Sequence, residues 1–282
     1  YKIVKPFLFL IILFNDFFLR LRINLLNVFF SKSKILKAMI DLKNDGVAII
    51  PNFYNEEQVS QIKNNCIKQL DEIPISEIEK NEDILNMSVR INNQELKLER
   101  LGGSLKLKGL QKINDFFKKI GRSFEINLIT LVYHLNLSRP FLIYNITHDG
   151  SFKHYAILNP KPSDEAIAGK PHVDLHLHKL RCFIALNDVK KNNGPTVFYK
   201  NSMNLKEIKK NHLNLFLENF KFHIDENGSH ILNEKKLDYL EKTEGKSLLT
   251  CSKGDLVLID LKTAHYGTLP KEGERHLLWF YY

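Results

Sequence analysis

Apolar residues recur along this chain in two rhythms. In the first third they fall at helical intervals. Residues 34–45, KILKAMIDLKND, have apolar positions three and four apart and run into Gly46, a residue that closes helices readily. Val47 to Ile50 is a short β-branched run stopped by Pro51. Asn55 then opens NEEQVSQIKNNCIKQLDE, a second helix with Glu56 and Glu57 in its first turn, where the helix dipole favours negative charge. Residues 86–100 alternate as strands do, and 107–121 return to helical spacing with Gly121 closing them. From Phe141 the period shortens to two. FLIYNI, SFKHYAIL, HVDLHLH, RCFIALNDV, PTVFYK, DLVLID and RHLLWFYY are strand-like runs separated by Gly, Pro, Asn and Asp. One helical interlude, roughly residues 203–220, interrupts them. Helices followed by many short strands predict an α+β fold with a mainly β core. That core is a barrel or jelly roll of two antiparallel sheets, and residues 34–122 supply helices that brace one outer face. No internal repeat or low-complexity linker breaks the chain.

Residues 1–30 have a different character. The apolar run PFLFLIILF is interrupted by Asn15 and Asp16, then FFLRLRINLLNVFF follows. A bilayer span needs about 20 consecutive apolar residues, so the uninterrupted run is too short. A secretory signal is disfavoured because no small-residue cleavage site follows it. Two readings carry equal weight: a helix lying in the membrane interface with Arg20 and Arg22 near lipid headgroups, or one packing on the domain's own surface. Either way residues 1–30 are expected to be mostly helical and to sit apart from the core, as an exposed apolar helix or packed at its edge, and residues 31–282 to form the main domain. A chain that opens on Tyr1 is expected to be a piece or a processed form.

With 282 residues, 44% of them hydrophobic, the chain can bury a sizeable core. Its formal net charge is +9, and five of those charges are concentrated in residues 1–45, which hold eight Lys or Arg against three Asp. The remainder is only mildly basic. No basic cluster interleaved with aromatics marks a nucleic-acid module, so no nucleic-acid partner is expected. The three cysteines, Cys66, Cys182 and Cys251, lie far apart with no CxxC pair. They read as buried thiols in a reducing, cytoplasmic compartment.

The chemistry concentrates at Lys170-Pro171-His172-Val173-Asp174. On a strand, residues two apart point to the same face, about 7 Å from one another along the chain, so an imidazole and a carboxylate converge from one side. They supply two members of a facial 2-His-1-carboxylate set, which leaves positions on iron(II) open to substrate and dioxygen. A lone HxD is weak in a chain with 11 histidines, where His172 could be an ordinary surface or core residue. The ordered set is stronger. His265 follows the strand-like LVLID, and Arg275 comes ten residues later in the last strand. A buried guanidinium there suits the far carboxylate of a dicarboxylate co-substrate, the competing reading being a surface ion pair with Glu272 or Glu274.

These residues carry a resemblance to the phytanoyl-CoA dioxygenase family, which includes ectoine hydroxylase. DGVAIIPNFYNEEQVSQIK resembles its Gly-to-Pro strand and following helix, LNPKPSDEAIAGKPHVD its approach to HxD, and FIALNDVKKNNGPT its strand and NGP turn. GDLVLIDLKTAHYG and ERHLLWFYY resemble its distal-histidine and arginine strands. The match runs in order from about residue 40 to 282. The resemblance implies a double-stranded β-helix (jelly roll), iron(II), 2-oxoglutarate and dioxygen, with a small-molecule or lipid-like substrate hydroxylated and succinate and carbon dioxide released. By position, His172, Asp174 and His265 are the expected metal ligands and Arg275 the partner of the 2-oxoglutarate C5 carboxylate. Asn159 matches an asparagine that contacts the co-substrate, and Tyr155, on the same strand face, is expected to join it. The plainer readings are a turn residue before Pro160 and a packing tyrosine.

The sequence also departs from the family. Where Pro-Gly-Ser-His usually follows the NGP turn, it has Lys200-Asn201-Ser202-Met203. Asp174 is kept, which disfavours the halogenating variants. His176 and His178 lie too far along the strand to share the ion and are expected to line the substrate side or the barrel mouth. Two alternatives compete: a catalytically inactive relative acting as a binding or membrane-associated scaffold, and a cupin-like hydrolase or isomerase, for which three histidines with a glutamate would be usual.

Overall fold

A computed structural model describes residues 4–30, 32–73, 85–101, 104–134, 140–148, 169–174, 180–200, 202, 230–232, 234–243 and 245–282. Its first half runs α1 (Val4–Phe30), α2 (Lys34–Asp45), β1 (Val47–Ile50), α3 (Glu56–Asp71), β2 (Leu85–Ile91), β3 (Gln94–Leu101), β4 (Ser104–Lys108), α4 (Asp115–Ile120) and α5 (Phe124–His134). The second half runs β5 (Phe141–His148), β6 (His172–Val173), β7 (Leu180–Ala185), β8 (Thr196–Phe198), β9 (His230–Ile231), α6 (Glu234–Thr243), β10 (Ser247–Leu249), β11 (Leu256–Asp260), β12 (His265–Gly267) and β13 (Glu274–Tyr281).

The strands form two antiparallel sheets. The larger has the order β1-β11-β7-β13-β5-β4-β3-β2 and the smaller β10-β8-β12-β6-β9. Strand alternation gives the large sheet two distinct faces. Leu142, Tyr144, Ile146, Leu278 and Phe280 point to one and join the main core cluster with the helices. Phe183, Ala185, Val257 and Leu277 point to the other and pack against Phe198 and Leu249 of the small sheet. Two sheets facing across an apolar layer are the jelly roll that the period-two runs predict.

Local signals explain the helical elements. Asn55 accepts from the Gln58 N–H at 2.9 Å, and the Gln58 side chain accepts from the Asn55 N–H at 3.0 Å, so α3 begins in a capping box. Gly46 ends α2 in the left-handed region at φ +79°, with its N–H donated to Leu42 O. Thr263 Oγ1 lies 1.8 Å from where a Gly46 Cβ would stand, so no side chain fits there.

Two expectations change. Residues 107–121 are not one helix: Leu107 and Lys108 finish β4, and α4 starts only at Asp115. Alternation of Leu105 and Leu107 with Ser104, Lys106 and Lys108 wins because β4 fits between β3 and β5 with its leucines in the core. Residues 85–108 therefore extend the large sheet, while α2 and α5 pack on its outer face. As a helix packed on the domain's surface, α1 spans Val4–Phe30 and docks on α2 and α5, with Leu19, Ile23 and Leu26 joining the main core cluster. The helical interlude near 203–220 lies outside the described residues. No helix among them is long and apolar enough to cross a membrane.

Candidate metal and co-substrate site

Strand register brings the expected ligands together. On the small sheet, His172 of β6 and His265 of β12 are direct cross-strand partners. Their rings stand 4.5 Å apart. Asp174 follows one pleat after His172, and its N–H donates to Leu261 O at 3.1 Å. His172 Nε2 lies 3.4 Å from Asp174 Oδ1, and His265 Nε2 lies 4.0 Å from Asp174 Oδ2. One ligand atom from each of the three fits within a 4.8 Å span. Ligand atoms about 2.1 Å from a shared ion and at right angles are about 3 Å apart, so small side-chain shifts close the set.

Hydrogen bonds prepare both imidazoles. His172 Nδ1 lies 2.6 Å from Lys170 O, and His265 Nδ1 lies 2.8 Å from Thr263 O. A carbonyl only accepts, so each Nδ1 carries the proton and each Nε2 turns its lone pair inward. Burial, followed by the neighbouring His172, pushes the His265 pKa down to about 4, so this ring is neutral at pH 7. For Asp174, burial acts to raise the pKa. The neighbouring His172, His265 and Arg181 side chains outweigh it and hold the carboxyl well below the usual range. A carboxylate and two imidazoles form a donor set suited to a divalent iron, nickel or zinc ion.

Further residues that the sequence reading missed support this set. Arg181 Nη1 donates to Asp174 Oδ2 at 2.6 Å, and its guanidinium sits 4.3 Å over the ring of Tyr281, its cross-strand partner. Ala264, just before His265, is held on both sides: its carbonyl accepts from Tyr199 N–H, and its N–H donates to Ser202 Oγ at 3.0 Å. The altered 200–203 turn thus keeps a serine with a definite structural task.

Arg275 is 8% exposed on the large sheet, on the face that carries Leu277 toward the small sheet. It donates to Gly194 O and, at 3.3 Å, to Thr147 Oγ1, and its buried Nε has no hydrogen-bond partner among the described residues. The alternative ion pair does not form, because Glu274 engages Lys63 and His276 instead. Burial pushes the Arg275 pKa down to about 10, which leaves it charged at neutral pH. Its direction is set by Asn187, whose amide donates to Glu274 O at 2.8 Å and accepts from His276 N–H at 2.8 Å, gripping the backbone on both sides. Gly194 closes the loop over the guanidinium at φ +78°; a Cβ there would lie 2.8 Å from Thr268 O. On the same face of β4, Lys106 pairs in register with Asn145. Burial lowers its pKa, with Asp174, Arg181 and Arg275 among the charges that act on it.

The structure therefore brings His172, Asp174 and His265 together and buries Arg275 on the facing sheet. Tyr155 and Asn159 lie outside the described residues, as do His176 and His178.

Solved structures share this fold. The non-heme alpha ketoglutarate dependent epimerase SnoN from nogalamycin biosynthesis is 12% identical, with a TM-score of 0.53 over 87% of this chain and 81% of that one. EctD from S. alaskensis with bound Fe is 10% identical, with a TM-score of 0.53 over 86% and 73%. The carbocyclase SnoK, also from nogalamycin biosynthesis, is 16% identical, with a TM-score of 0.50 over 86% and 82%. A search of curated proteins gave no match. The family model described as phytanoyl-CoA dioxygenase matches residues 42–269, and this chain belongs to that family of iron- and 2-oxoglutarate-dependent enzymes.

Proposed function

We propose that this chain is a hydroxylase that couples oxidation of a small-molecule or lipid-like substrate to conversion of 2-oxoglutarate into succinate and carbon dioxide. The observation that carries the reading is one constellation. Three ligand atoms lie within 4.8 Å, and on the facing sheet is a buried guanidinium that, among the described residues, has an unpartnered Nε and no carboxylate ion-paired to it. A buried cation without an anion is costly, and the dicarboxylate co-substrate supplies one. In this reading His172, Asp174 and His265 hold iron(II), and Arg275 and Thr147 hold the C5 carboxylate. Tyr155 and Asn159 contact the co-substrate by analogy with the family. Iron with 2-oxoglutarate supplies the oxidising power when bound; the protein orients the reactants and excludes water. The ready-made donor set and anion site speak against an inactive scaffold.

The compartment we propose is the cytoplasm, supported by three free thiols. Residues 1–30 are proposed as a membrane-associating segment and residues 31–282 as the catalytic domain.

The test is a binding experiment with a turnover readout. The chain is expected to take up stoichiometric iron(II) and, once loaded, to form succinate from 2-oxoglutarate. Arg275→Ala should leave iron uptake intact and weaken 2-oxoglutarate binding by about tens- to thousands-fold, since losing one partner of a buried charged pair costs roughly 2–5 kcal/mol. Arg275→Lys should recover only part, because an ammonium lacks the planar fork. If Arg275→Ala titrates like the parent protein, Arg275 is not the anchor. If no iron binds, the oxygenase reading fails altogether.

A further inference from the structure

We propose that the outward face of α1 is a docking surface for an anionic lipid bilayer, on which the helix lies flat. The proposal does not depend on the chemistry assigned to the metal site. With 27 residues, α1 is about 40 Å long at 1.5 Å per residue. Its two long faces have opposite fates. Asp16, Leu19, Ile23 and Leu26 are buried against the protein. Phe14, Phe17, Phe18, Leu21, Leu25 and Phe29 are between 44% and 77% exposed. At about 100° per residue these six fall within an arc of about 120°, centred opposite the buried four. A continuous apolar stripe from Phe14 to Phe29, about 23 Å long at 1.5 Å per residue, is far more than the scattered exposed hydrophobic residues of an ordinary surface, and it marks a contact.

Charge selects the occupant. Arg22 borders one edge of the stripe; Arg20 borders the other, beyond Asn24. The Arg22 Nε donates back to Phe18 O at 3.1 Å, so its stem lies along the helix beside the exposed rings. Exposed Lys32, Lys34 and Lys37 continue the positive charge past the end of α1. The only acidic residue of α1 is Asp16, which is buried and ion-paired with Arg20 at 2.6 Å. A second copy laid on this face would set arginine-bordered edges against one another. Lipid phosphates and carboxylates complement them, while the phenylalanines enter the headgroup–acyl boundary. Because no described helix is long and apolar enough to span a bilayer, the geometry is a helix parallel to the surface with its inner face still holding the domain.

The experiment is cosedimentation of the full chain with phosphatidylcholine vesicles, with and without phosphatidylserine. The chain should pellet with the mixed vesicles and bind the neutral ones more weakly. Replacing Phe17, Phe18 and Phe29 with serine should reduce partitioning on the order of a hundredfold, because three large apolar groups no longer enter the interface. Those side chains face away from the core, so circular dichroism and the thermal midpoint should not fall. Leu21→Ser with Leu25→Ser samples the same stripe if the first variant does not fold. Equal binding by the folded serine variants overturns the proposal, as does a parent chain that stays in the supernatant. Equal binding to neutral vesicles overturns the choice of an anionic surface. A dimer that the serine variants convert to monomer would show that a second copy covers this face.

Discussion

The ligands at this site are set by neighbours that hold them by short, directed bonds. Arg181 is the strongest such neighbour. It fixes the carboxylate through Oδ2 and is itself steadied over Tyr281. Removing the charge while keeping the bulk, as Arg181→Met, is expected to weaken iron(II) affinity about 10- to 100-fold, the usual scale for losing a group that orients a ligand. Competition with a metal-binding dye would measure it, and Arg181→Lys should fall between. Gly46 acts from farther away. An alanine Cβ would collide with Thr263, whose carbonyl receives the His265 Nδ1 proton, in a backbone conformation that L-residues resist. Gly46→Ala should therefore destabilise the fold by about 2 kcal/mol or more in a urea titration and also loosen iron.

Among elements, the 187–195 loop and the helical layer matter most. β13 carries Arg275, and its first residues pair with β5 on one side while on the β7 side the side chain of Asn187 takes the place of the ladder. Asn187→Ala leaves Glu274 O short of a donor and His276 N–H without its acceptor, a cost of about 1–3 kcal/mol. The expected signature is weaker 2-oxoglutarate binding with iron uptake spared, read by isothermal titration. A uniform loss of both would assign Asn187 to folding alone. On the outer layer, α1 is both a core element and an exposed one. Leu19 is fully buried, so Leu19→Ala should cost about 2–5 kcal/mol, whereas outward Phe17→Ser should cost little. Paired chemical denaturation curves of the two variants would compare the faces of one helix directly.

For the whole molecule, the proposed site draws on both sheets. The ligands come from the small sheet and the loops at its edge, and the buried guanidinium comes from the large one. Iron(II) bound by folded protein only must stabilise it, by about 2.7 kcal/mol at a hundred times the dissociation constant. The thermal midpoint should rise with iron(II) in the parent chain and not in Asp174→Ala. Equal shifts in both would place the metal elsewhere.

The order of residues along the chain was enough to bring out the candidate ligands. Alternation puts His172 and Asp174 on one side of a strand whatever that strand meets, because the pleat is a local property of the backbone. Gly46 and Asn55 likewise end and begin helices through bonds made within a few residues. The spacing at 107–121 misled because helical and strand preferences are both weak over a few residues, and the vacant edge of β5 decided for a strand. Everything that orients the site was hidden for a related reason. Arg181 reaches Tyr281 across 100 positions, and Asn187 reaches His276 across 89. No local pattern encodes such contacts; they exist only once the sheet has chosen its register. The two faces of α1 show the same limit: both are apolar in sequence, and packing on α2 and α5 alone decided which one the protein keeps for itself.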